Sequence, residues 1–221
     1  MTLHLVTDRR RLAPRLTDGA AIACLLQQAM YAIDAGIDVV HVRERDLDAR
    51  VLCDLVASMV EQARGTSTRI VVNDRVDVAL AAGAAGVHLP ARGMPVDAVR
   101  RLVPADYLVG RSVHTVAEAT EAQGADYLLA GTVWDSASKR PGHPTLGVDG
   151  LAAIVLAARV PVLAIGGVHS DRVGDVRRTG AAGAAAIGLF VGADDQPCRA
   201  VPLVRLVESL RLGFDTSGSG S

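Results

Sequence analysis

The residues that could do chemistry cluster where short apolar runs end. His114 follows the run Tyr107–Gly110 and the tripeptide Arg111-Ser112-Val113. It stands one residue before Thr115, which can cap a helix over Val116–Gln123, with Glu118 completing a capping box. A helix N-terminus lowers a histidine pKa, so a neutral imidazole near pH 7 is expected there. Such a group can take a proton and return it, and the competing reading is a histidine that caps or packs under a loop. Arg43 closes the run VVHVR, on the same side of its strand as His41 by period-two spacing. An arginine facing inward there needs an anion, either a substrate or an ion pair with Glu44, Asp8 or Asp74. Asn73, Ser112 and Thr132 are polar residues at equivalent strand ends.

Phosphate chemistry is suggested at the other end of the chain. Pro161–Ile165 ends on Gly166-Gly167, and Gly183–Ile187 ends at Gly188. Glycine lets backbone N–H groups approach an anion closely, and a following helix adds partial positive charge. Gly166, Gly167, Ile187 and Gly188 are therefore the expected phosphate holders. The loop SASK adds two hydroxyls and an ammonium, from Ser136, Ser138 and Lys139, and could close on an anionic substrate. Asp74 is the obvious carboxylate for a metal, but no second one stands at a matching strand end, so a metal site is not expected. Asp74 reads better as a partner for Arg75 or Arg43.

These residues need a scaffold that brings strand ends together. Short apolar runs alternate with helical stretches through the chain, with no hairpin signal, which implies a parallel sheet. Eight such units in 221 residues predict a single (β/α)8 barrel over residues 1–214, with 215–221 as a flexible tail. No GxGxxG follows the first strand, which disfavours a dinucleotide fold. Half of the residues are apolar, but only one Trp, three Tyr and two Phe are present, so small branched residues must do the packing. A net charge of −1 gives no sign of a nucleic-acid or membrane surface, and no apolar run reaches membrane-spanning length. Cys24, Cys53 and Cys198 lack metal-ligand spacing; Cys24 and Cys53 read as buried thiols in a cytoplasmic protein. The sequence leaves homo-oligomerisation open.

Taken in order, HLVTD, VVHVRERD, VVNDRVDVAL, GVHLP, VGRSVHTVAEA, ADYLLAGTVWDSASK, VPVLAIGGV and AAAIGLF resemble the thiamin phosphate synthase/TenI superfamily. The resemblance covers nearly the whole chain. Its synthase branch has a glutamine and a lysine flanking the second-strand arginine, and a magnesium-binding aspartate after the fourth strand. This chain has His41, Arg45 and Gly93 at those places, and Gly188 where the family often has serine. HVRER, GVHLP and GRSVH are similar to the thiazole tautomerase branch, whose proposed acid/base histidine falls on His114. The resemblance therefore implies an isomerase without a cofactor. It would aromatise a 2-carboxy-4-methylthiazole ethyl phosphate tautomer by a proton shift, with Arg43 or Lys139 on the carboxylate. Two other readings stand beside it. One is a thiamin phosphate synthase coupling a pyrimidine pyrophosphate to thiazole phosphate with Mg2+. The other is a regulator that binds a phosphorylated ligand without catalysis.

Overall fold

The structure, a computed structural model, describes residues 1–136, 140, 142–191 and 203–216. Its strands are β1 (Thr2–Val6), β2 (Val39–Val42), β3 (Arg69–Asn73), β4 (Gly86–Leu89), β5 (Leu108–Val113), β6 (Tyr127–Gly131), β7 (Val162–Ile165) and β8 (Gly183–Ala186). All pair in parallel and in chain order, and β8 returns to β1 to close the barrel. The chain is a (β/α)8 barrel, as its alternation predicts. Around it run α1 (Arg9–Leu12), α2 (Asp18–Asp34), α3 (Ala49–Ala63), α4 (Val76–Ala81), α5 (Val96–Arg100), α6 (Val116–Glu121), α7 (Gly147–Ala157), α8 (Val173–Arg178) and α9 (Leu203–Thr216).

Helix α3 shows how the outer layer forms. Leu52, Leu55, Val56, Met59 and Ala63 recur at three- and four-residue spacing and are its buried face. Asp48 starts it by accepting from the Val51 amide at 3.0 Å. The main core lies between such helices and the outward strand residues, including Leu5, Val40, Val72 and Val87. A smaller cluster of Val6, Tyr127, Leu129, Leu163 and Ala185 packs separately from it. His4, His41 and His88 are also buried, each on a strand.

Several details differ from expectation for local reasons. The basic stretch expected from sequence to be a loop, Arg9–Thr17, opens with a helical turn over Arg9–Leu12, because Asp8 caps it through the Arg11 amide. The fifth strand continues through Arg111 and Ser112 to Val113, so both polar residues are held by the sheet. Ser170–Arg172 is a 3-10 turn ahead of α8, and α9 runs on to Thr216, past the expected boundary at 214. Cys53 is a free, half-buried thiol, but Cys24 is disulfide-bonded, contrary to the reading from spacing. Pairing depends on distance in the fold, which isolated cysteines in sequence do not reveal. No described helix is long and apolar enough to cross a membrane.

Candidate active site

A cavity of about 430 Å³ opens at the C-terminal ends of the strands. Arg43, Asn73, Ser112, His114, Thr132 and Ser136 all line it. So do Gly166, Gly167, Ile187 and Gly188. Ser138 and Lys139 lie outside the described residues. The fold therefore gathers the described sequence-derived candidates from six strand ends into one chamber, the arrangement this barrel favours.

One side is built for an anion. Gly166 and Gly167 have φ of 96° and 65°, left-handed values that favour glycine. A Cβ on Gly167 would lie 2.7 Å from the Trp134 Cβ. The carbonyl of Gly166 accepts from the Trp134 amide at 3.1 Å, and that of Gly167 accepts from Arg172 at 2.8 Å. Arg172 also sits over the Trp134 ring, 5.1 Å from its centroid. Both carbonyls are thus tied back, while the Gly166 and Gly167 amides have no acceptor among the described residues. Arg11 adds a guanidinium from the first βα turn, 3.4 Å from where a Gly188 Cβ would stand. Sequence reasoning missed Arg11 because a helical turn, not a loop, swings it over the eighth strand.

Arg43 directly follows β2, three strands from β7 around the barrel. It is half-buried, and no carboxylate pairs with it among the described residues. Glu44, the nearest candidate by sequence, is instead held by Arg9 at 3.2 Å. Burial and the neighbouring Arg45 lower the Arg43 pKa, against weaker opposition from Asp8 and Glu44. Asp74 does not hold Arg75 either, since that guanidinium grips Asp77 at 2.6 and 2.8 Å. Arg43 is left as a desolvated cation facing an open chamber.

The floor is imidazole. His41 and His88 are 2% and 1% exposed, with ring centroids 4.7 Å apart. Burial, then Arg43, lowers His41 to about 3, against a weaker opposing contribution from Asn73, so its buried ring is neutral where it lines the chamber. His88 bonds Ser112 at 2.8 Å and Tyr127 at 3.2 Å. Period-two spacing pointed to His41, but His88 reads from sequence as a packed strand residue; it is packed and also lines the cavity.

His114 is exposed at the rim. Its Nδ1 hydrogen-bonds the Gly131 carbonyl, and its amide donates to Glu118 at 2.6 Å. The expected capping box is thus shifted by one residue: Thr115 accepts from the Glu118 amide, but Glu118 reaches back to His114. The ring is held by the backbone of β6 and lines the chamber.

Beside this chamber lies a second cavity of about 350 Å³, lined by Arg45, Asp74, Arg75, Arg92 and Gly93. No group of three His, Cys, Asp or Glu side chains suited to a metal occurs among the described residues.

Comparison with known proteins gives a consistent picture. Residues 4–190 match the family described as thiamine monophosphate synthase. A thiamine-phosphate synthase of Clostridium botulinum is 36% identical over 195 residues, covering 87% of this chain and 91% of that protein. One from Methanoculleus marisnigri is 40% identical over 169 residues, covering 76% and 80%. The structure of thiamine phosphate pyrophosphorylase from Pyrococcus furiosus superposes with a TM-score of 0.79 at 30% identity, covering 99% of this chain and 97% of that one. These relatives overturn the expectation of an isomerase, because they are named thiamine-phosphate synthase or thiamine phosphate pyrophosphorylase. That expectation leaned on a histidine whose fixed position also has a structural cause in the Gly131 carbonyl. The chain belongs to the thiamine monophosphate synthase family.

Proposed function

We propose that the chain is a thiamine-phosphate synthase, a transferase joining a pyrimidine methyl pyrophosphate to a thiazole ethyl phosphate. The observation that carries this reading is that the cavity holds two separate places for an anion. Free amides at Gly166 and Gly167 end β7, and the unpaired Arg43 follows β2, three strands away around the closed barrel, with both groups lining the same cavity. A transferase with one phosphate to hold and one pyrophosphate to release needs two such poles.

In this reading the thiazole phosphate sits on the glycine turn, with Arg11 and Arg172 nearby. Arg43 and Arg45 take the pyrophosphate. The thiazole nitrogen lone pair forms a bond to the pyrimidine methylene carbon, the carbon–oxygen bond breaks, and its electron pair leaves on pyrophosphate. Guanidinium groups stabilise that developing charge in a partly desolvated site. The bond-forming step moves no proton, so His114 acts as a rim group held by β6 rather than as an acid or base.

The synthase reading implies magnesium at the pyrophosphate. In the second cavity Asp74 is the carboxylate left, because Glu44 is committed to Arg9, while Asp8 and Asp135 line the main chamber. A Cβ at Gly93 would lie 3.1 Å from Asp74 Oδ1 and 2.9 Å from Pro90 Cδ, so a second carboxylate there would require the loop to shift. Arg45, Arg75 and Arg92 surround the same cavity and oppose a cation. These residues do not fit a resident magnesium site, and no step is derived through the metal. The reading is tested by product formation from the two substrates, with release of pyrophosphate measured in parallel.

A further inference from the structure

Tyr127, His88 and Ser112 form a chain of hydrogen bonds that runs from inside the barrel to the cavity. Tyr127 Oη lies 3.2 Å from His88 Nδ1, and His88 Nε2 lies 2.8 Å from Ser112 Oγ. Space for it has been made on the neighbouring strand. A Cβ on Gly110 would lie 2.6 Å from His88 Nδ1 and would overlap the end of the Tyr127 ring. Gly110 stands opposite both residues in the sheet, paired with His88 on one side and Tyr127 on the other.

The direction of the hydrogens follows from counting partners. Tyr127 is buried, and burial raises its pKa, so its hydroxyl keeps its hydrogen. His88 is its only hydrogen-bond partner among the described residues. A buried hydroxyl hydrogen with no acceptor is costly, so it must point at Nδ1. His88 is then the tautomer with its hydrogen on Nε2, and that hydrogen goes to Ser112 Oγ. Ser112 then accepts from His88 through one lone pair and keeps its own hydrogen free. Ser112 lines the cavity.

We propose that Tyr127 and His88 are positioning residues that fix the Ser112 hydroxyl as a hydrogen-bond donor toward an acceptor atom of the bound heteroaromatic ring. With the tautomer reversed, Ser112 would spend its hydrogen on His88 and offer the ligand only lone pairs. The choice of ring rests on the synthase reading. The thiazole nitrogen needs its lone pair for bond formation, so the acceptor belongs to the pyrimidine. A pyrimidine ring nitrogen supplies it, and a benzene ring of the same shape does not.

Two measurements test this. Histidine-selective 15N spectra of the ligand-free protein should show His88 protonated at Nε2 and bare at Nδ1, and in Tyr127→Phe both tautomers should appear. A wild-type His88 protonated at Nδ1 overturns the proposal. In calorimetry, pyrimidine methyl pyrophosphate should bind about tenfold more tightly than benzyl pyrophosphate. Ser112→Ala should abolish that preference. Tyr127→Phe should reduce it about threefold and change nothing further in the Ser112→Ala background. Additive losses, or equal loss for inorganic pyrophosphate, overturn the relay. If the unaltered protein binds neither organic pyrophosphate, the synthase reading falls, while the tautomer measurement still decides the relay.

Discussion

Arg9 and Glu44 meet 3.2 Å apart, 1% and 4% exposed, at the start of the first and second βα connections. Arg9 also reaches Asp46 at 2.6 and 2.7 Å and Asp18 at 3.1 Å. Its own amide donates to Glu44 at 3.1 Å. This network removes Glu44 from the cavity and thereby leaves Arg43 without a partner. Structure below the rim sets the charge above it.

Breaking that network strands a buried charge. Arg9→Met leaves Glu44 with burial and no cation, and it should cost about 3–5 kcal/mol. Urea unfolding of Arg9→Met against the unaltered protein measures it. The paired change Arg9→Met with Glu44→Gln should recover a large part of the loss.

Arg43 should behave in the opposite way. Arg43→Met removes an unpaired, half-buried charge, so stability should hold or rise slightly. Binding of inorganic pyrophosphate should fall about 10- to 100-fold, the worth of a hydrogen bond to a charged group. Calorimetry and thermal melting on one sample separate the two effects. A large fall in melting temperature would mean that Arg43 has a structural partner after all.

The glycine turn gives a third test. Gly167→Ala places a Cβ where φ is 65° and Trp134 already stands. We expect about 1–3 kcal/mol of destabilisation and weakened thiazole phosphate binding. Gly36→Ala, at φ 73° with open space around it, controls for backbone strain alone and should leave binding intact.

Barrel stability should depend on pH through the buried histidines. Burial lowers His4 and His41 to about 3, and burial also holds His88 well below its ordinary value. In the unfolded chain each titrates near 6.5. Between those values the unfolded state binds more protons, so stability rises with pH. It should be complete above about pH 6.5 and fall steadily as pH drops toward 3. Denaturation midpoints across that window check the sign, and His4→Phe should flatten the slope.

Much of this was legible in the sequence for identifiable reasons. Strand–helix alternation and glycine at strand ends are local patterns, so the barrel and the Gly166-Gly167 turn could be read directly. Arg43 and Ser112 followed from period-two spacing and from the rule that strand ends carry chemistry. Other features were set by partners distant in sequence. Arg9 finds Glu44 35 positions away, and Arg11 approaches Gly188 across the closing strands. His88 looks like any packed residue until Tyr127 and Gly110 are placed beside it. The isomerase expectation rested on His41, Arg45, Gly93 and His114 taken together, and the relatives named as synthases overturn it. Each differs from the synthase pattern or suits proton transfer, yet none determines which bond is made.

The central claim is tested most directly by mixing the protein with pyrimidine methyl pyrophosphate and thiazole ethyl phosphate and following products by mass. The account predicts equal amounts of thiamine phosphate and pyrophosphate, with the rate strongly reduced in Arg43→Met. Tight binding of both substrates without formation of either product, with or without added magnesium, would contradict it.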